Sequence, residues 1–150
     1  MKDNKNYFFE IYGPDFGEKK KLQDLIAKNR LINIKIFDQI STREISDKLQ
    51  KSYIFLLPSK NENFGNVFLE SILHYVPIIC LNDSYWCDFI NKYNIGKITN
   101  MNPNKIVKCI NEINSYYLFY KKKDFEIVHK VHDPDIVGDK LLSHFEEFNV

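Results

Sequence analysis

No stretch of this chain stays apolar for the roughly 20 residues that a bilayer-spanning helix requires, so the sequence gives no reason to expect a transmembrane segment. The first six residues, Met1 to Asn6, are polar and carry no apolar signal core. A cytoplasmic protein is expected. Charge of one sign is also missing: 21 basic and 20 acidic residues leave a net charge of +1, which exerts no general pull on nucleic acid. Any anion site must therefore be local. Cysteine is scarce and odd in number, and Cys80, Cys87 and Cys109 match neither a CxxC nor a zinc spacing. Free thiols are expected. Glycine and proline are sparse, five of each, and neither a linker nor an internal repeat interrupts the 150 residues. One domain over 1–150 is expected, large enough to bury about 68–70% of the unfolded chain's surface.

What the sequence does contain is alternation. Tyr7 to Tyr12 reads as a buried strand stopped by Gly13-Pro14, and Glu18 to Asn29 follows a helical period through Leu22, Leu25 and Ile26. Asn33 to Phe37 alternates as a strand. Ser41 to Glu44 forms a capping box before a short helix ending near Gln50. Tyr53 to Leu57 is apolar on both faces, as an interior parallel strand must be. Then come a helix over 64–74, a strand over 77–81 and a helix over 85–93. Asn102-Pro103 is an N-cap with a first-turn proline, behind which Ile106, Cys109, Ile110, Ile113 and Tyr117 make one apolar stripe. Asp133-Pro134 opens a last helix in the same way. The expected fold is α/β, a doubly wound Rossmann-like parallel sheet, which binds ligands beyond the C-terminal ends of its strands.

The run Pro58 to Ser71 sits at such an end and holds Glu62 and Glu70 with seven residues between them. A strand-to-helix junction with a glycine at the turn offers free amides to an anion. If the helix starts near Phe64, the N–H groups of Gly65, Asn66 and Val67 lack intrahelical acceptors, and Gly65 has no Cβ to block an approaching diphosphate. Glu70 falls about 6–8 Å further along the axis, suited to a ribose. Glu62 precedes the helix, where a sugar would lie, and Lys60 is the nearby cation that would offset repulsion between this carboxylate and a phosphate. Phosphate plus polyol describes a nucleotide sugar. Glutamates at this spacing also arise by chance, and a first-turn Glu is often only a dipole partner, so spacing alone leaves both readings open.

These residues resemble the C-terminal domain of the GT-B glycosyltransferases of family 4, whose E-x7-E signature reads P-S-x-x-E-x-F-G-x-x-x-x-E-(A/S). Pro58, Ser59, Glu62, Phe64, Gly65, Glu70 and Ser71 all match it. Ile11 to Pro14, with Gly13, resembles the family's strand and glycine turn. Val76 to Ile79 resembles the strand after the motif helix, Tyr85 to Gly96 the next acidic helix and glycine, and His132 to Ile136 the start of a closing helix. The resemblance implies a retaining transfer of a hexose from a nucleoside-diphosphate sugar to a glycan or lipid-linked acceptor, as in polysaccharide biosynthesis. Glu62 would contact the transferred sugar, Glu70 the ribose, and the backbone of Phe64 to Val67 the diphosphate, with no metal or other cofactor.

The chain also departs from the family pattern. The resemblance implies an N-terminal acceptor domain and a first strand with basic leaving-group residues, and Met1 falls just before what resembles the second strand. In the order 3-2-1-4-5-6 that first strand is central. Three arrangements follow: a partner chain supplies the strand, residues 7–12 and 53–57 pair directly, or the sheet keeps a gap. A separate acceptor-domain chain or self-association is expected; the alternative is a truncated, non-catalytic remnant acting as a binding or partner module. Tyr75 stands where the family usually has glycine, and Asp38 where glycine often follows the third strand.

Elsewhere, His129, His132 and His144 with Asp133 follow no metal-ligand spacing, and His74 reads as structural or solvent-facing rather than catalytic. Tyr116 to Tyr120 followed by Lys121 to Lys123 has the aromatic and basic character of a helix that docks on a partner or meets a membrane surface, peripheral at the inner face. The plainer alternative packs those aromatics on the sheet.

Overall fold

The computed structural model describes residues 7–58, 66–84, 86–100, 102–120, 126 and 130. The fold is α/β with parallel strands, and the chain divides into two compact units, Met1–Ile45 and Ser46–Val150.

The first unit contains β1 (Phe9–Ile11), α1 (Lys19–Lys28) and β2 (Ile34–Ile36), with β1 and β2 paired in parallel from Phe9↔Ile34 to Ile11↔Ile36. The entry to α1 is set by Asp15, whose carboxylate accepts from the amides of Gly17 and Lys19 at 2.7 and 3.2 Å and is thereby held below the usual carboxylate range. Gly17 takes φ +100 in this turn, a conformation that a side chain would strain. Asp38, in the position where a glycine was noted as usual, forms an ion pair with Lys19. The capping box is formed as read from the sequence: Glu44 accepts from the Ser41 amide and hydroxyl at 2.9 and 2.7 Å, and starts α2 (Thr42–Gln50), the helix within which the two units meet in sequence.

The second unit carries β3 (Phe55–Leu57), α3 (Asn66–Leu73), β4 (Ile78–Leu81), α4 (Cys87–Tyr93), β5 (Gly96–Thr99), α5 (Pro103–Ser115) and α6 (Tyr117–Tyr120). The ladder order is β3-β4-β5, with β4 buried along its whole length. Its core gathers Phe68 and Ile72 from α3, Ile78 and Cys80 from β4, and Trp86, Ile90 and Ile95 around α4. Phe68 stacks on Trp86 at 4.0 Å, and Phe89 meets both rings edge-on. The α3 helix is thus clamped between sheet and α4, the packing that fixes where its N-terminus and Glu70 project. As expected, Asn102 caps α5, accepting from the Asn104 amide at 2.9 Å.

One expectation needs correction. β5 was not foreseen, because a four-residue strand with one glycine and one lysine shows no apolar run; the reading passed from the α4 helix directly to Asn102. The described strands form one ladder within each unit, β1-β2 in the first and β3-β4-β5 in the second. Although its composition is that of an interior strand, β3 pairs with β4 alone among the described residues, and all three of its residues are only part-buried.

Tyr75, at the turn between α3 and β4, has φ +57. The backbone has kept the left-handed conformation that glycine adopts freely and an L-residue adopts at about 1–2 kcal/mol. Tyr75→Gly is therefore expected to raise stability by about 1 kcal/mol and Tm by about 2–4 °C. Calorimetric melting checks this, and a lower Tm would mean that the tyrosine ring contributes more than the strain removes.

Candidate functional site

The residues singled out by sequence fall into three groups. Lys60, Glu62, Phe64 and Gly65 lie outside the described residues. Asn66, Val67 and Glu70 occupy the first two turns of α3, the helix that follows the C-terminal end of β3. Gly13 lies beyond the C-terminal end of β1 in the first unit; no heavy atom approaches within 4 Å of the place its Cβ would occupy, so packing does not demand a glycine there.

The described part of α3 begins at Asn66, and residues 64 and 65, where the sequence reading placed the start of the helix, lie outside the described residues. None of the residues in the first described turn, Asn66 to Leu69, is acidic, so no carboxylate of that turn competes for the positive end of the dipole. Glu70 stands one turn in, about 6 Å along the axis from Asn66.

The side chain of Glu70 carries the most informative atom in this region. Its Oε2 is fully buried and has no hydrogen-bond partner among the described residues. Leaving a buried polar atom unsatisfied costs about 1–3 kcal/mol, and more when it is charged. Neighbouring Ser71, by contrast, spends its hydroxyl on the carbonyls of Val67 and Phe68 at 3.0 and 3.1 Å and is structural. An acceptor held by a packed helix and left without a donor is suited to receive one from a bound hydroxyl.

Other chemistry-bearing side chains are engaged in the fold. His74 Nε2 lies 2.7 Å from Ser46 Oγ, a contact between α3 and α2 that fits the structural role expected of it. His129, His132 and His144 lie outside the described residues, and among the described residues no group of three or more His, Cys, Asp or Glu side chains could hold a metal ion. Asn82-Asp83-Ser84, which matches a glycosylation sequon in sequence, is the turn between β4 and α4: the Asn82 amide donates to Thr99 at 2.7 Å, and buried Ser84 accepts from the Trp86 amide at 3.3 Å. The shallow grooves along the outer faces of α1 and α5 include none of the expected site residues.

All three cysteines are free, as expected; Cys80 and Cys109 are buried and Cys87 partly so. Burial, and secondarily the adjacent Cys87, push the Cys80 thiol up to about 12. Native protein treated with iodoacetamide at pH 8 should leave Cys80 unmodified until it is unfolded, since the thiolate is the nucleophile. Peptide mass mapping reads this out; labelling of Cys80 at the rate of a free thiol would contradict it.

Comparison with known proteins extends the picture. The profile of the family described as glycosyl transferases group 1 matches residues 1–122. Over 103 residues the chain is 34% identical to the UDP-N-acetylglucosamine–peptide N-acetylglucosaminyltransferase GtfA subunit of Streptococcus agalactiae, covering 65% of this chain and 20% of that protein. Over 109 residues it is 27% identical to an uncharacterized glycosyltransferase of Methanocaldococcus jannaschii, covering 72% of this chain and 31% of that one. Among solved structures, the pneumococcal O-GlcNAc transferase GtfA in complex with UDP and GlcNAc superposes with a TM-score of 0.60 at 18% identity, over 95% of this chain and 30% of the other. The chain spans between a fifth and a third of the length of these relatives.

Proposed function

Because the chain belongs to the group 1 glycosyl transferases, we propose that it forms the nucleotide-sugar-binding domain of a retaining glycosyltransferase that moves a hexose from a nucleoside-diphosphate sugar to a glycan or lipid-linked acceptor. In this reading the amides at the start of α3 hold the diphosphate, Glu70 accepts hydrogen bonds from the ribose, and Glu62 positions the sugar. Lys60 offsets the repulsion between the Glu62 carboxylate and the diphosphate. Such stabilisation by fixed amides and cations requires neither metal nor other cofactor.

The observation that carries this reading is the buried, unpartnered Oε2 of Glu70 one turn inside α3. Neutral hydroxyl donors fit it, because they complete its hydrogen bonding without bringing a second charge into the site. The streptococcal relative's name and the pneumococcal neighbour's ligands make UDP the first nucleotide to try. Calorimetric titration with UDP, GDP and ADP is the test: saturable binding of one diphosphate is expected. Failure of all three to bind would remove the reading and leave a non-catalytic module.

A further inference from the structure

The C-terminal end of β4 carries a pair of thiols that nucleotide binding does not use. Cys80 lies there, fully buried, level with Leu57 at the end of β3 and with Ile98 of β5. Its thiol is in hydrogen-bonding contact with that of Cys87, the first residue of α4, and with the Ser84 hydroxyl. Cys87 packs against the same core cluster and points back at the strand, its Sγ donating to the Leu81 carbonyl at 3.1 Å. The two sulfurs are thus already neighbours. Cys87 is partly exposed and Cys80 is not, so a dissolved oxidant meets Cys87 first.

The residue before Cys87 is Trp86, 5% exposed, whose ring stacks on Phe68 in the first described turn of α3 at 4.0 Å. Joining the two thiols would shorten their separation from hydrogen-bond contact to a bond of about 2 Å. β4 is buried along its whole length and paired on both sides, so Cys80 is held in place. Cys87 must do the moving. Trp86 moves with it, and Phe68 either follows or loses the ring it packs on.

We propose that Cys80 and Cys87 form a reversible disulfide which, through the Trp86–Phe68 stack, displaces the start of α3 and lowers its affinity for nucleotide. The nucleotide half of this inference rests on the reading of α3 as the diphosphate site. The oxidant is a hydroperoxide. Cys87 sulfur attacks one peroxide oxygen, the O–O bond breaks, and a sulfenic acid and one water result. Cys80 sulfur then attacks Cys87 sulfur, the S–O bond breaks, and the hydroxyl leaves with the Cys80 proton as a second water. Two thiols lose two electrons, which the peroxide takes up. Burial holds the Cys80 thiol up at about 12, so at pH 8 only about one molecule in 10,000 carries the thiolate. Contact offsets this scarcity, because groups held in reacting geometry behave as though present at about 10⁵ M or more. The same thiol that resists a dissolved alkylating agent can therefore close a bridge to its neighbour.

The full chain, reduced and freed of reductant, is treated with a small excess of hydrogen peroxide and mapped by peptide mass without further reduction. A Cys80–Cys87 bridge is expected, with Cys109 still a thiol. The chain has a single tryptophan, so its emission reads Trp86 alone. Bridged protein should emit at longer wavelength and bind UDP at least about tenfold more weakly, the order expected when binding groups are displaced by about 1 Å, and a phosphine reductant should restore both. Cys87→Ser should bind UDP as reduced wild type does, with or without peroxide. No bridge, a bridge to Cys109, or bridged protein with an unmoved emission maximum or unchanged UDP affinity overturns the proposal. Failure of the reduced protein to bind any nucleoside diphosphate is a separate result: it removes the diphosphate reading and the nucleotide half of this inference, while the bridge and the emission shift still decide the movement of Trp86.

Discussion

Replacing Glu70 by alanine is expected to weaken nucleoside-diphosphate binding by about 10- to 100-fold, the range for losing hydrogen bonds to a charged group. The same substitution should leave the ligand-free protein no less stable. Both halves follow from one atom. Oε2 of Glu70 is buried without a partner among the described residues, so in the empty protein it destabilises, whereas in the proposed complex the ligand would satisfy it. A residue with a purely structural role would behave in the opposite way, lowering the melting temperature and affecting nucleotide affinity only through unfolding. Calorimetric titration and melting of the same preparation separate the two, and a large fall in Tm with unchanged affinity would contradict the assignment.

The largest effect on stability is expected at Gly96. A Cβ built there lies 2.0 Å from the carbonyl oxygen of Ile78 and 2.8 Å from its carbon. The opposing atoms are backbone of β4, the strand buried along its whole length and paired on both sides. No side chain can rotate away to make room. Gly96→Ala must therefore separate β4 from β5 or bend one of them, at a cost of about 3 kcal/mol or more, which corresponds to a fall in Tm of at least about 6 °C for a chain of this size. Thermal melting followed by circular dichroism reads it. Retention of the wild-type Tm would mean that β5 is not held against β4 as described.

How much of this was legible in the sequence depends on whether a feature is local. The Ser41–Glu44 box, the Asn102 cap and the α2 bounds came directly from residue type and spacing, because their hydrogen bonds close within three residues. β5 was missed since its glycine answers to a close approach of Ile78, far away in sequence. Tyr75 was noted as out of place for its family, and the structure gives the backbone reason, a left-handed φ. The α6 aromatics could not be sorted from sequence: Tyr117 and Tyr120 face inward only because Tyr53 and Lys97 wait there. Of the site itself, the spacing that singled out Glu70 is a local pattern, but the want of a partner at its Oε2 is a property of packing and was visible only once the helix was in place.

The central claim is that Glu70 holds the ribose of a diphosphate seated at the start of α3, and a thermodynamic cycle tests it most directly. UDP and its 2′,3′-dideoxy analogue are titrated into wild type and Glu70→Ala. The predicted result is that loss of the ribose hydroxyls weakens binding to wild type by about 10- to 100-fold and leaves binding to the variant unchanged. An equal loss in both proteins would show that the hydroxyls and this carboxylate never meet.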